Sequence, residues 1–178
     1  MIWLKEWLKT ILKMKLNSNI ILKPPVEDSF IGWSNPRIFL AGSIEMGKAE
    51  NWQEKLQNDL PNRNLIIYNP RRDDWDSSWE QKITNKNFYE QVNWELSALE
   101  RSDIIAMYFA PDTQSPISLL EFGLYANNHS NKMIVCCPDG FWRKGNIDVT
   151  AQRYGVPVHN NYDTWLVNIK NKIEEGMR

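Results

Sequence analysis

The sequence predicts an α/β protein in which a five-stranded parallel sheet is wound on both faces by helices. Three observations carry this. Short apolar runs alternate with stretches of helical periodicity, and strands that alternate with helices imply a parallel sheet covered on both sides. The chain has 178 residues, the length of one domain, and can bury a full core without disulfides or a structural metal. Apolar residues make up 42% and charged residues 24%, which fits a soluble globular protein and excludes disordered and collagen-like chains.

The first element stands apart. Residues 1–23 hold Lys5, Lys9, Lys13, Lys15 and Lys23 against Glu6, a net charge of +4, leaving −5 on the rest of a chain whose total is −1. Trp3, Leu4, Trp7, Leu8, Ile11 and Leu12 recur at helical spacing, with Lys5, Lys9 and Lys13 on the other face. This pattern predicts an amphipathic helix over 1–23 that docks on its own domain or on a sister subunit. A membrane-surface anchor is the weaker alternative. Lysine interrupts the apolar face every fourth residue and no small-residue cleavage site follows, against a secretory signal. No apolar stretch reaches the about 18–20 residues that span a bilayer. Residues 24–36, rich in proline, read as a linker, and 37–178 as the domain proper.

Within that domain Ile38 to Ala41 is a buried-strand run closed by Gly42-Ser43. Lys48 to Leu60 is helical, with Trp52, Leu56 and Leu60 on one face, and Leu65 to Tyr68 is the second strand. A polar loop from Arg71 to Lys86 is long enough to be functional. Phe88 to Arg101 is a helix, Asp103 to Phe109 the third strand, Pro116 to Asn127 a helix and Lys132 to Cys137 the fourth strand. Val149 to Tyr154 is a helix, Val156 to His159 the fifth strand and Tyr162 to Glu175 the last helix. Such an alternation suggests a flavodoxin-like sheet of order 2-1-3-4-5, whose ligands sit outside the carboxyl ends of strands one and three.

Composition narrows the chemistry. A net charge of −1 lacks the basic excess of a protein that neutralises phosphates, so no nucleic-acid polymer is expected as a partner. Cys136 and Cys137 are adjacent and are the only cysteines, which points to a reduced, cytoplasmic protein. The two histidines, His129 and His159, stand at no ligand spacing from a cysteine, so no metal site is expected. Nine tryptophans promise an aromatic core or an aromatic-lined cleft.

The strand ends supply the candidate residues. After the first strand, Gly42 and Ser43 suit close approach of backbone N–H groups to an anion or a sugar hydroxyl, although a plain strand-to-helix turn has the same composition. After the second strand, Arg71, Arg72, Asp73, Asp74, Trp75 and Asp76 read either as a solvated charge run or as a cleft wall. In the second case arginine takes an anionic group and Trp75 stacks a base. After the third strand, Asp112 is a further acid, and Ser115 with Pro116 marks a helix start, serine as N-cap and proline at the first helical position. Glu121 lies six residues beyond Ser115 between Leu120 and Phe122. A carboxylate on an apolar stretch is costly to bury unless paired or used. Glu95, after Trp94 on the preceding helix, poses the same question.

Read together, IFLAGSIEMG, YNPRRDDWDSSW, QVNWELSALERSDIIA, SPISLLEFGLYA and KMIVCCP resemble the nucleoside 2-deoxyribosyltransferase-like superfamily. The likeness is greatest to a side branch related to the hydrolases that split deoxynucleoside 5′-monophosphates, and it covers about Arg37 to Asp148. The resemblance implies a flavodoxin-like, homo-oligomeric, cofactor-free and metal-free protein that acts on a small-molecule nucleoside or nucleotide. It implies Glu121, in Glu121-Phe122-Gly123, as nucleophile, Glu95 as second acid, and Ser115 on a substrate phosphate beside the Gly42-Ser43-Ile44 turn. Asp74 follows Glu95 as candidate acid, with Asp112 also open. Phe39 or Trp75 would stack the base, and Ser43, Ser118, Arg71 and Asp73 would complete the binding set. Phe39 stands where a tyrosine is frequent in the family, which motivates an alternative: a nucleotide-binding sensor of the same fold without turnover.

Overall fold

Residues 18–26, 35–45, 49–72, 76 and 78–176 are described by the computed structural model, and of the helix expected over 1–23, residues 1–17 lie outside them. Apolar runs bounded by Asn, Pro and Gly form the strands β1 (Ile20–Leu22), β2 (Arg37–Gly42), β3 (Ile66–Tyr68), β4 (Ile104–Tyr108), β5 (Met133–Cys136) and β6 (Val158–His159). The helices are α1 (Trp52–Asp59), α2 (Lys86–Arg101), α3 (Pro116–Ala126), α4 (Lys144–Tyr154) and α5 (Tyr162–Gly176). All strands pair in parallel in the order β1-β3-β2-β4-β5-β6. The flavodoxin-like α/β class stands, and the five expected strands keep their expected order.

The correction is a sixth strand. Ile20–Leu22, read as the end of the N-terminal helix, instead extends the sheet at the β3 edge, with Ile20 opposite Ile66 and Leu22 opposite Tyr68. Asn19 fixes the approach: its side-chain oxygen accepts from the backbone N–H of Arg63 at 3.1 Å and Leu65 at 3.2 Å. Two consecutive isoleucines before Lys23-Pro24-Pro25 suit an edge strand that ends at the prolines. A second correction concerns α4, which begins at Lys144 and not at Val149. Ile147 and Ala151, one turn apart, face the core, whereas Val149 is 69% exposed.

Two apolar layers hold the helices to the sheet. Phe39, Ala41, Tyr68, Ile105 and Met107 face α2, α3 and α4 through Trp94, Leu99, Phe122, Tyr125 and Ile147. Ile38, Leu40, Ile67 and Ala106 face α1 and α5 through Trp52, Leu56, Trp165 and Ile169. The alternation along each strand sends successive side chains to opposite layers, as a sheet buried on both faces requires. Among the described residues three tryptophans are core residues. Trp52 and Trp165 stand 5.9 Å apart, each indole N–H donates to a buried carbonyl, of Ser43 and Ile134 respectively, and Trp94 stacks edge-on to Tyr68.

This topology places the site. β2 and β4 are neighbours, and the chain crosses from β2 through α1 to β3 on one side and from β4 through α3 to β5 on the other. The loops leaving β2 and β4 therefore part at their carboxyl ends, the switch point where such sheets bind ligands.

Candidate active site

The floor is a close backbone approach. Gly42 pairs with Tyr108 across β2 and β4 at φ 138°, and a Cβ built there would stand 2.1 Å from the Tyr108 carbonyl oxygen. Only glycine fits. The next N–H, of Ser43, donates to that same oxygen at 2.9 Å. The expectation that Gly42 and Ser43 offer backbone donors to a ligand is corrected here: the turn spends its donor on locking β2 to β4. Ser43 is fully buried. Its hydroxyl lies 2.9 Å from Thr113 Oγ1 and 2.6 Å from Ser115 Oγ, and accepts the Ala110 N–H at 2.9 Å. Ser115 precedes Pro116 as expected, but its hydroxyl caps nothing and joins this cluster.

The two predicted carboxyls come together on the other side of the sheet from α1. Glu121 sits on the inner face of α3 with Ser118 one turn before it, both buried, while Ile117, Leu120 and Leu124 point outward. Glu121 keeps 8% exposure. Burial pushes its carboxyl up to about 8, and the nearby Glu95 charge adds to the rise. Glu95, on α2, is pushed up to about 7 by burial, against the pull of its hydrogen bond to Gln91. Of the two, Glu121 is raised the further, by burial first and by the Glu95 charge second.

Gln91 was missed by sequence reasoning, though its spacing of four from Glu95 on one helix face is the signal that finds it. Its amide donates to Glu95 Oε1 at 2.7 Å and to the Pro70 carbonyl at 3.3 Å. Its oxygen accepts from Arg72 at 3.4 Å. The second acid is thereby tied to the loop after β3.

Other expectations fare differently. Phe39 has no exposure and packs against Trp94 at 6.4 Å, so it is a core residue and cannot stack a base. Arg71 donates to the carbonyls of Ala49 and Glu50 and to Gln53 Oε1, clamping the segment before α1 where an anion-binding role was expected. Asp73, Asp74 and Trp75 lie outside the described residues. Asp112 is exposed, with φ 58°.

A cleft of about 350 Å³ opens between the β2 and β4 loops, lined by Glu45, Ala49, Glu50, Pro111, Asp112 and Thr113. Neither Glu121 nor Glu95 lines it; of the hydroxyl cluster, Thr113 does. Glu50 accepts from the Tyr108 hydroxyl at 2.8 Å. Glu45 accepts from the N–H groups of Gln114 and Ser115, the latter at 2.8 Å. Glu45, Asp112 and Ser115 all have positive φ, and non-glycine residues in that region concentrate at functional sites. Glu45 and Glu50 carried no assignment from sequence, because only the fold brings these loops together.

Two comparisons bear on this arrangement. A family model described as nucleoside 2-deoxyribosyltransferase like matches residues 35–141, which include β2 to β5, Glu95 and Glu121. No curated protein matches the chain.

Proposed function

Because the chain belongs to the nucleoside 2-deoxyribosyltransferase-like family, we propose that it cleaves or transfers the N-glycosidic bond of a nucleoside or nucleotide, with Glu121 as nucleophile and Glu95 as acid. The observation that carries this reading is the pair itself: two carboxyls on separate helices, Glu121 buried and Glu95 half-buried, both raised toward neutrality by loss of solvent. Retaining glycoside chemistry needs one ionised and one protonated carboxyl, and two carboxyls raised toward neutrality keep both forms within reach there.

In the first step the Glu121 carboxylate forms a bond to C1′ as the C1′–N bond breaks. The electron pair leaves with the base nitrogen, which takes the proton of Glu95. The reaction runs from the form in which Glu121 is ionised and Glu95 keeps its proton, and developing positive charge at C1′ favours the anionic form of Glu121. The result is a glycosyl ester on Glu121 and a free base. Water or a second base then attacks C1′, loses a proton to Glu95, and releases the carboxylate. Gln91 positions Glu95 through its 2.7 Å bond. Asp74 is the second candidate acid. A homo-oligomer is part of the proposal, supported by the apolar residues Ile117, Leu120 and Leu124 that α3 turns outward.

The test is base release from a panel of nucleosides and their 5′-monophosphates, followed by chromatography. Glu121→Gln and Glu121→Ala are expected to lower turnover by at least about a thousandfold, and Glu95→Gln by about 10²–10⁴-fold. Turnover in either Glu121 variant equal to that of the unmodified protein overturns the assignment. One observation favours a second reading, a sensor without turnover: Phe39 has no hydroxyl to orient the nucleophile. Thermal stabilisation by a nucleotide with no base released selects that reading.

A further inference from the structure

Glu95 is held at one oxygen by contacts that begin outside its own helix. Gln91, one turn earlier on α2 and 4% exposed, donates its side-chain N–H to Glu95 Oε1 at 2.7 Å and to the Pro70 carbonyl at 3.3 Å. Its amide oxygen accepts from Arg72 Nη1 at 3.4 Å. These partners fix which way the amide points. A carbonyl only accepts and a guanidinium only donates, so the nitrogen faces Pro70 and Glu95 and the oxygen faces Arg72. The loop that does the fixing is itself anchored. The Asn69 N–H donates to the Leu22 carbonyl at 2.9 Å, the Asn69 side chain accepts the Arg71 N–H at 2.9 Å, and Arg71 grips the carbonyls of Ala49 and Glu50.

From these contacts we infer that Arg72 is a positioning residue that acts on the acid through Gln91: it orients the Gln91 amide, the amide occupies Glu95 Oε1, and the proton given to the leaving base is therefore carried on Oε2. The inference rests on the glycosidic reading above, with Glu95 as acid. In a protonated carboxyl the carbonyl oxygen is the better acceptor, so an N–H fixed on Oε1 leaves the hydroxyl at Oε2. The same N–H steadies the ionised form and opposes the rise that burial gives Glu95. A guanidinium on the amide oxygen polarises the amide and strengthens that N–H. The distances rank the effects, since a contact at 2.7 Å outweighs one at 3.4 Å. Among the described residues the other ionisable groups around Glu95 are Glu121 from α3 and Tyr68 from β3, which stands against Trp94. The same layer of β2 and β4 brings Phe39, Ala41, Ile105 and Met107, none of which titrates.

The experiment follows the Glu95 carboxyl by carbon NMR in the glutamate-labelled full chain, with Glu95→Gln to assign its signal, beside base release across pH. Two substrates are compared: a purine 2′-deoxynucleoside and its N7-methylated form, whose cationic base leaves without a proton. Gln91→Leu removes a donor to the ionised carboxyl, so the Glu95 midpoint and the alkaline limb of the ordinary substrate both move to higher pH. That variant is expected to lose about tenfold to a hundredfold in turnover of the ordinary substrate and less than about threefold with the methylated one. Gln91→Met, close in size, serves if the leucine variant does not fold. Arg72→Met is expected to shift Glu95 in the same direction by less, and Arg72→Lys, which keeps a charged donor, to restore most of that shift. Combined with Gln91→Leu, Arg72→Met should add no further shift, because its route through the amide is gone. An Arg72 shift that persists without Gln91 is direct charge and overturns the inference. So does a Glu95 titration unmoved in folded Gln91→Leu or Arg72→Met, and so do equal losses on the two substrates in Gln91→Leu. The titration needs no turnover. The expected shifts with no base released from any substrate support the hold on Glu95 and sink the catalytic reading, whereas turnover that depends on Glu121 with an unmoved Glu95 sinks the role of Arg72 alone.

Discussion

The Glu121–Glu95 pair costs the protein stability in a pH-dependent way. Both carboxyls are raised from an ordinary value of 4.5, Glu95 to about 7 and Glu121 to about 8. At pH below 4.5 the folded and unfolded chains both hold these protons. Between there and about 8 the unfolded chain releases protons that the folded chain keeps, so stability falls as pH rises through this window. Glu121→Gln removes one of the two groups and its repulsion of the other. Urea midpoints measured at pH 5 and pH 8 are expected to show a shallower decline in that variant, with the variant the more stable protein at pH 8. An unchanged slope contradicts the buried pair. Ser43 illustrates the other residue-scale effect. Its hydroxyl meets Thr113, Ser115 and the Ala110 N–H. Ser43→Ala leaves that buried amide unpartnered, a loss of about 1–3 kcal/mol, which equilibrium denaturation reads directly; faster hydrogen exchange at Ala110 is the accompanying signature.

At the scale of elements, the site depends on how closely β2 and β4 run. Gly42 opposes Tyr108 with no room for a side chain, and the two loops diverge from that point. Gly42→Ala forces a methyl group into the Tyr108 carbonyl at a φ that side chains rarely adopt. The expected loss is about 3 kcal/mol or more, seen as a lower denaturation midpoint with the same denaturant dependence. Helix α3 shows a different logic. It buries Ser118 and Glu121 beside Phe122 and Tyr125 and exposes Ile117, Leu120 and Leu124, so apolar residues stand on both its faces and polar ones interrupt the inner face. Polar residues set into a buried face are expected where a helix serves a site and not only a core.

At the scale of the whole molecule, β1 ties the N-terminal region to the sheet. It covers the β3 edge, buries Leu22, and leads to Val26, whose carbonyl accepts the Trp94 indole N–H at 2.8 Å. Truncation before residue 27 uncovers that edge and strips Trp94 of its acceptor. It is expected to destabilise the fold by about 2–4 kcal/mol relative to truncation before residue 18, with more aggregation from the exposed edge. Comparable midpoints and solubility for the two truncations would remove β1 from the folding unit. Among the described residues no helix is long and apolar enough to cross a membrane.

The five strands from Arg37 onward, their order and the inward position of Glu121 follow from the sequence itself. Alternating periodicity, and an acid set among apolar residues, are local signals that burial must satisfy. The tertiary structure decided the rest. Ile20–Leu22 became a strand because an open edge of β3 accepts its backbone, which no local propensity announces. Phe39 and Arg71 changed role because packing against Trp94 and hydrogen bonds to the α1 segment consume them. Glu45 meets the N–H groups of Gln114 and Ser115 because a loop from β2 reaches the start of α3, about seventy residues away along the chain, and contacts at that separation are written in no local pattern.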